Sequence, residues 1–305
     1  MDNVITPIIV LGVMGVIFGV ALSIASRVFA VEVDEKVSQI LGVLPGANCG
    51  ACGFPGCEGL ANAVAQGKAP VNGCAIGGGE VAAKVGEIMG VNAGNVERQV
   101  ALVKCQGTCD KASNKYEYTG LQDCRLISDF QRGNKSCGYG CVGGGTCVKV
   151  CDFDAIHIVD GIAVVDKEKC VACMKCIKTC PKHVIELVPY KQKTMVKCKS
   201  VDTGKEVRTN CSIGCISCKM CERTCPKGCI KVTDNLAEID YTQCINCGFC
   251  AAVCPTHAIY VEYPERMDKI KETVKKQQEK KKQAAEAAKA AKAAEAQKAA
   301  ETVTQ

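Results

Sequence analysis

The spacing of its cysteines constrains this chain more than any other feature. Cys215-Ile-Ser-Cys218-Lys-Met-Cys221-Glu-Arg-Thr-Cys225-Pro226 is answered by Cys244-Ile-Asn-Cys247-Gly-Phe-Cys250-Ala-Ala-Val-Cys254-Pro255. Three closely spaced thiolates wrap one face of an iron–sulfur cube, and the fourth, before the proline, reaches the other cube of a pair. The spacing therefore assigns Cys215, Cys218, Cys221 and Cys254 to one 4Fe–4S cluster, and Cys244, Cys247, Cys250 and Cys225 to a second. Structural zinc also takes C-x2-C pairs, but it has no use for the third cysteine or the crossed fourth.

Composition supports this reading. The chain has 26 cysteines in 305 residues, no Trp and 4% aromatic residues. Most cysteines fall into cluster spacing, which implies reduced thiolates in a reducing cytoplasm and not a disulfide scaffold. With so little aromatic core, cluster binding is expected to supply folding free energy. The formal charge of +6 counts every cysteine as neutral. Each cluster with its four thiolates carries about −2 overall, so six of them would bring the chain to about −6. A nucleic-acid-binding function inferred from a basic pI thus fails.

Residues 1–33 read as a transmembrane anchor. Val4 to Ala25 is an uncharged run of 22 residues, long enough to cross a bilayer as a helix. Asp2 is the only charge before it and Arg27 follows, which argues against a signal peptide. Arg27 and Lys36 on the trailing side predict a single pass with the bulk of the chain in the cytoplasm. Gly15, Gly19 and Ser23 form a small-residue stripe of the kind that lets membrane helices approach closely.

Residues 34–95 hold Cys49, Cys52, Cys57 and Cys74 in C-x2-C-x4-C-x16-C spacing, interleaved with glycines. This order is the reverse of the plant-type 2Fe–2S pattern, so a 4Fe–4S cluster is expected. Asp34 to Leu44 and Glu80 to Met89 read as helices, with Gly77-Gly78-Gly79 as a flexible exit from the cluster loop.

Residues 96–190 and 191–264 are an internal duplication, which points to two units of one fold. Val103-Lys104-Cys105 matches Val196-Lys197-Cys198, and Cys137-Gly-Tyr-Gly-Cys141 matches Cys211-Ser-Ile-Gly-Cys215. Cys147 and Cys151 match Cys221 and Cys225, and the series Cys170, Cys173, Cys176, Cys180 matches Cys244, Cys247, Cys250, Cys254. By analogy, Cys137, Cys141, Cys147 and Cys180 are expected to hold one cluster, and Cys170, Cys173, Cys176 and Cys151 another. Gly138-x-Gly140-x-x-Gly143 has the form of a dinucleotide fingerprint but lies inside a cysteine loop, without the strand and helix that motif needs.

Five clusters use 20 cysteines and leave Cys105, Cys109, Cys124, Cys198, Cys211 and Cys229. Cys105, Cys124, Cys198 and Cys211 are expected to close a sixth cluster between the two units; buried free thiols are the alternative. His157, His183 and His257 follow cluster motifs whose four ligands are already cysteine, so packing roles are expected. Residues 265–305 form a tail rich in Lys, Ala, Glu and Gln, with 11 basic and 6 acidic residues from Arg266 onward. That composition suits a helical or disordered, solvated segment.

An anchor, a C-G-x-C-G-x-P-G-C…C module and ferredoxin repeats in that order resemble the B subunit of the Rnf ion-translocating ferredoxin:NAD+ oxidoreductase complex, over roughly residues 1–260. The module at Cys49 to Cys74 is also similar to one in corrinoid iron–sulfur proteins, which lack the anchor and the repeats. The resemblance implies an electron-transfer subunit that accepts electrons from soluble reduced ferredoxin and relays them to membrane and flavin- and NAD-bearing partner subunits. The fold expected is α+β: one transmembrane helix, a small 4Fe–4S domain, two tandem bacterial ferredoxin-like modules and a tail. No nucleophile, general acid–base pair or flavin site is apparent. Rival readings are a subunit of another membrane oxidoreductase, or a scaffold or sensor with structural clusters.

Overall fold

The computed structural model describes residues 2–28, 34–94, 97–280 and 283. Helix α1 (Asp2–Val28) is the one helix among them long and apolar enough to cross a membrane, with its most apolar window at Ile9–Ser26. Leu11, Val16, Phe18 and Leu22 lie exposed on it, and among the described residues no atom outside the helix backbone lies within 4 Å of the Cβ position of Gly15 or Gly19. Exposed apolar side chains around such a helix are what a lipid-facing segment requires. The expected boundaries at residues 33 and 95/96, and the tail beyond residue 283, lie outside the described residues.

Helices α2 (Glu35–Val43), α3 (Gly56–Ala65) and α4 (Gly78–Met89) build a small domain around Ile40, Leu60, Ala61, Val64 and Val85. Asp34 starts α2 by accepting the Lys36 amide at 3.0 Å, which satisfies one of the unpaired donors at a helix start. Gly90, left-handed at φ 70°, ends α4. The glycine run is no flexible exit, since Gly78 and Gly79 open α4 and the Gly77 amide donates to Cys74 Sγ at 3.4 Å.

The duplicated units share one course. In the first, β1 (Gln99–Val103), α5 (Cys124–Asp129) and α6 (Thr146–Lys149) lead to the hairpin β2 (Ile156–Val159)–β3 (Ile162–Val165). Helix α7 (Lys175–Thr179) and β4 (Ile185–Pro189) follow, and β4 returns antiparallel to β1 with Val103 opposite Ile185. The second unit repeats this with β5 (Thr194–Val196), α8 (Gly204–Asn210), α9 (Met220–Thr224), β6 (Ile230–Thr233), β7 (Leu236–Ile239), α10 (Phe249–Ala252) and β8 (Ile259–Val261). Its β5 pairs with β8, and β6 with β7. Both hairpins turn on two left-handed residues, Asp160-Gly161 and Asp234-Asn235, the backbone that a tight hairpin with right-twisted strands prefers.

Each unit buries a few β-branched and small residues between its outer strand pair and its hairpin. Val100, Val184, Ile185 and Val188 do so in the first, and Val196, Ile230, Ala258 and Ile259 in the second. Cysteines fill the rest of both cores. Beyond Val261 a 3-10 turn at Pro264–Arg266 leads into a helix over residues 267–280. This start of the tail docks instead of being fully solvated. Val274 is 3% exposed, Met267 packs on the second core, and the Ile270 Cδ1 lies 3.3 Å from the Cβ position of Gly248.

Candidate metal centres

The same backbone device shapes every cluster loop of the two units. Counting from the first cysteine of each run, the residues two and four places on are left-handed: Ala172 and Met174 after Cys170, Ser217 and Lys219 after Cys215, Asn246 and Gly248 after Cys244. Alternating hand turns successive amides toward the inside of the loop, forming a concavity that receives anionic sulfur. A small helix then begins at the second left-handed residue and carries the third cysteine.

After Cys141 the left-handed residues are Gly143 and Gly145, again two and four places on. The Cys141–Cys147 segment is therefore the same loop as Cys215–Cys221, with Gly144 standing where the second unit has Cys218. A side chain at Gly144 has no room: its Cβ would lie 2.7 Å from Ile127 Cδ1 and 2.9 Å from the Cys124 amide nitrogen. That amide donates to Thr146 Oγ1 at 2.6 Å. Cys124 thus arrives from α5 at the point where the run lacks its middle cysteine. Burial first, and then the neighbouring Cys141, Cys124 and Cys180, push the Cys147 thiol up to about 12.

Two residues consequently change places relative to the sequence expectation. Cys137, expected beside Cys141, Cys147 and Cys180, lines a cavity with Cys105, Cys198 and Cys211. Cys124, expected in that second group, takes the position beside Cys147. The place of Cys124 follows from the glycine loop, where Gly144 lets the start of α5 approach closely. A signal for that of Cys137 lay in the repeat, because Cys137 and Cys211 occupy equivalent positions.

The structure also brings the cysteines of the other expected groups near one another. Cys49, Cys52, Cys57 and Cys74 line one cavity, and Cys215, Cys218, Cys221 and Cys254 another. Cys225, Cys244, Cys247 and Cys250 line a third, and Cys229 joins them with its Sγ 3.5 Å from that of Cys225. Cys151, Cys170 and Cys173 surround Cys176, whose thiol burial and these neighbours push up to about 12. Cys109 is exposed, and no cavity described for the other cysteines includes it. His183 and His257 are left-handed turn residues whose amides donate back to the carbonyls of Cys180 and Cys254, and His157 lies half-exposed on β2.

These residues fit iron–sulfur clusters on two counts. Several sulfurs already accept amide hydrogen bonds: Cys170 Sγ from Ala101 at 3.3 Å, Cys141 Sγ from Ala163 at 3.4 Å, and Cys198 Sγ from Cys215 at 3.3 Å. The side chain of Gln192, 3% exposed, donates to Cys244 Sγ at 3.3 Å. Such donors stabilise anionic sulfur and tune cluster potentials. Moreover, four cysteines of cluster spacing line each of three cavities, the number of thiolates that a 4Fe–4S cube takes.

Comparison with known proteins bears on the same residues. The FeS family of iron–sulfur cluster domains matches residues 44–76, and the 4Fe–4S binding domain family matches 163–186 and 237–260. The B subunit of the Na+-translocating ferredoxin:NAD+ oxidoreductase complex of Acetobacterium woodii is 49% identical over 79% of this chain and 73% of its own length. The chain belongs to the B-subunit family of the Rnf ion-translocating oxidoreductases. The B subunit of the ion-translocating oxidoreductase complex of Methanosarcina acetivorans is 42% identical over 77% of this chain and 90% of its own. That of the proton-translocating ferredoxin:NAD+ oxidoreductase complex of Clostridium ljungdahlii is 41% identical over 79% and 85%. The chain is accordingly an iron–sulfur electron-transfer component of a membrane-bound, multisubunit ferredoxin:NAD+ oxidoreductase, with α+β architecture.

Proposed function

We propose that this subunit accepts electrons from reduced ferredoxin on the cytoplasmic side through its second ferredoxin-like unit. It relays them through the first unit to the domain around Cys49–Cys74, and from there to membrane and flavin- and NAD-bearing partner subunits. Bound 4Fe–4S clusters supply the one-electron chemistry. The chain's own part is to hold them close together and to set their potentials through amide-to-sulfur hydrogen bonds, charge and burial. The ligand sets are Cys49, Cys52, Cys57 and Cys74; Cys151, Cys170, Cys173 and Cys176; Cys124, Cys141, Cys147 and Cys180; Cys215, Cys218, Cys221 and Cys254; and Cys225, Cys244, Cys247 and Cys250.

The observation that carries this reading is contiguity. Cys49 of the small domain lies close enough to Cys173 of the first unit to raise its thiol, after burial and Cys151. Cys176 neighbours Cys147 within the first unit, and Cys221 neighbours Cys250 within the second. Ligands of one centre thus stand beside ligands of the next, an arrangement that a set of purely structural clusters has no need of. The small domain follows the membrane helix directly in sequence, which supports the membrane-proximal end of the order.

Cys247→Ser in the intact complex tests the donor end. Ferredoxin-dependent NAD+ reduction should fall steeply, while NADH-driven dye reduction by the partner subunits persists. An unchanged ferredoxin-dependent rate would overturn the proposal. Protease added to inside-out vesicles, but not to right-side-out ones, should digest the chain beyond residue 34.

A further inference from the structure

The two ferredoxin-like units are built alike, yet one repeat-equivalent pair of centres differs in what faces the sulfur. Cys170 in the first unit corresponds to Cys244 in the second. Cys170 Sγ accepts the backbone amide of Ala101 at 3.3 Å. The residue equivalent to Ala101 is Thr194, and its amide donates to Asn246 Oδ1 at 3.1 Å instead. Where the second unit has Asn246 the first has Ala172, which offers no side-chain oxygen to divert the amide from sulfur.

Cys244 Sγ receives a side-chain donor in its place. Gln192 Nε2 lies 3.3 Å from it and also donates to Thr194 O at 2.7 Å. Gln192 is 3% exposed, whereas its repeat partner Gln99 lies exposed at the start of β1. A buried amide needs an acceptor for each hydrogen; Thr194 O takes one and the sulfur takes the other. A second difference falls on the same centre. Cys229, with its Sγ 3.5 Å from that of Cys225, stands where the first unit has Ala155.

The aim of Gln192 is fixed from both units. It lies in the link from β4 to β5, where its own backbone amide donates to Pro189 O at 2.9 Å. Its carbonyl accepts Lys167 Nζ of the first unit at 2.8 Å, and Lys167 is ion-paired with Glu262 of the second. In the cluster loop, Asn246 Oδ1 also accepts the Lys193 amide at 2.9 Å, and Asn246 Nδ2 donates to Lys191 O at 3.4 Å. The loop between Cys244 and Cys247 and the link carrying Gln192 are therefore held as one piece.

We infer that Gln192 is the positioning residue that sets the reduction potential of the centre held by Cys225, Cys244, Cys247 and Cys250, a task given to a backbone amide in the first unit. Reduction adds one electron, from reduced ferredoxin or a chemical reductant, and takes the net charge there from about −2 to about −3. The Gln192 amide keeps its proton and faces the extra negative charge, so the reduced state gains more from it than the oxidised state. Losing the donor therefore lowers the potential. The inference rests on the ligand set proposed for this centre and not on the direction of electron flow.

Potentials should be measured by EPR-monitored titration of the full chain in its complex, for the wild type, Gln192→Met and Gln99→Met. Methionine keeps the length of glutamine without the donor, and Cys247→Ser identifies the component concerned by its change. At the potential where that centre is half reduced in the wild type, Gln192→Met should show about a tenfold lower ratio of reduced to oxidised centre, or about 59 mV for one electron, with iron and sulfide unchanged. Gln99→Met should titrate as the wild type does. An iron-replete Gln192→Met with an unshifted component, or equal shifts in both variants, would overturn the inference. If Gln192→Met loses iron, the wild type decides. With glutamine carrying heavy nitrogen in its side-chain amide, pulsed EPR of that component should show a nitrogen coupling, and its absence would refute the contact. Ferredoxin oxidation reports separately: a complex that ferredoxin fails to reduce sinks the donor reading, while titration with a chemical reductant still decides on Gln192.

Discussion

Gly144→Ala is a sharp test of how the first unit completes its leading cluster. In an ordinary loop, Gly→Ala at a compatible conformation stabilises a protein by about 0.4–1 kcal/mol, by restricting the unfolded chain. At Gly144 the new methyl would meet the Cys124 amide nitrogen at 2.9 Å, the Asp123 carbonyl carbon at 3.1 Å and Ile127 Cδ1 at 2.7 Å. The isoleucine tip can swing aside, but the two backbone atoms move only if the start of α5 moves. Overpacking of this kind costs about 1–3 kcal/mol, or roughly 5- to 150-fold in the population of the competent geometry. The displaced atom is the backbone of the ligand itself, so the loss should appear at one cluster. Gly138→Ala is the control, because nothing lies within 4 Å of its Cβ position. The assay is iron and sulfide content, with the rate of cluster bleaching in guanidinium. Gly144→Ala should lose about four irons and bleach faster than Gly138→Ala. If the two variants match the wild type equally, Cys124 does not complete this loop.

Three further outcomes follow from the described packing. Val274→Asp puts a carboxylate where a side chain is 3% exposed; losing that burial, worth about 1.5–3 kcal/mol, should release the helix over residues 267–280 to limited proteolysis without changing iron content. Cys229→Ala should keep every cluster, because Cys225 remains, but it removes a thiol 3.5 Å from that ligand. Loss of a hydrogen-bond donor to ligand sulfur should lower the potential of the cluster held by Cys225, Cys244, Cys247 and Cys250, as read by EPR-monitored titration. Chelation of iron under reducing conditions should abolish the far-UV signature of both units, since cysteines are a large part of their cores and ligand binding there is folding free energy; retained strand content would contradict this.

Much of the site was legible in the cysteine spacing because the loop geometry is local. A cysteine every third residue with a proline after the fourth leaves the backbone one course, and the left-handed positions at Ser217, Lys219, Asn246 and Gly248 are that course realised. The duplication was legible for the same reason. Only half of the exchange of Cys124 and Cys137 was legible: the repeat aligns Cys137 with Cys211, but the place of Cys124 depends on a contact between α5 and the loop at Gly144, which leaves no periodic trace. In that loop Gly143 and Gly145 supply the hand of the turn and Gly144 supplies the room. The docked start of the tail was missed because Met267, Ile270 and Val274 are too sparse among lysines to outweigh the composition around them.

The cavity shared by the two units also sets a timetable for biogenesis. At about 5–20 residues per second of synthesis, roughly 5–20 s separate the emergence of Cys105 from that of Cys211. Strand β1 likewise waits for β4 before it can pair. The N-terminal helix can be delivered to the membrane, and the small domain can receive its metal, while the ribosome is still at work. The seam between the units, where Ala112 pairs with Cys211 and Ser113 with Asn210, can close only after Cys211 has emerged. A chain released before Cys211 lacks one side of that seam, so its closure certifies that the two halves have met.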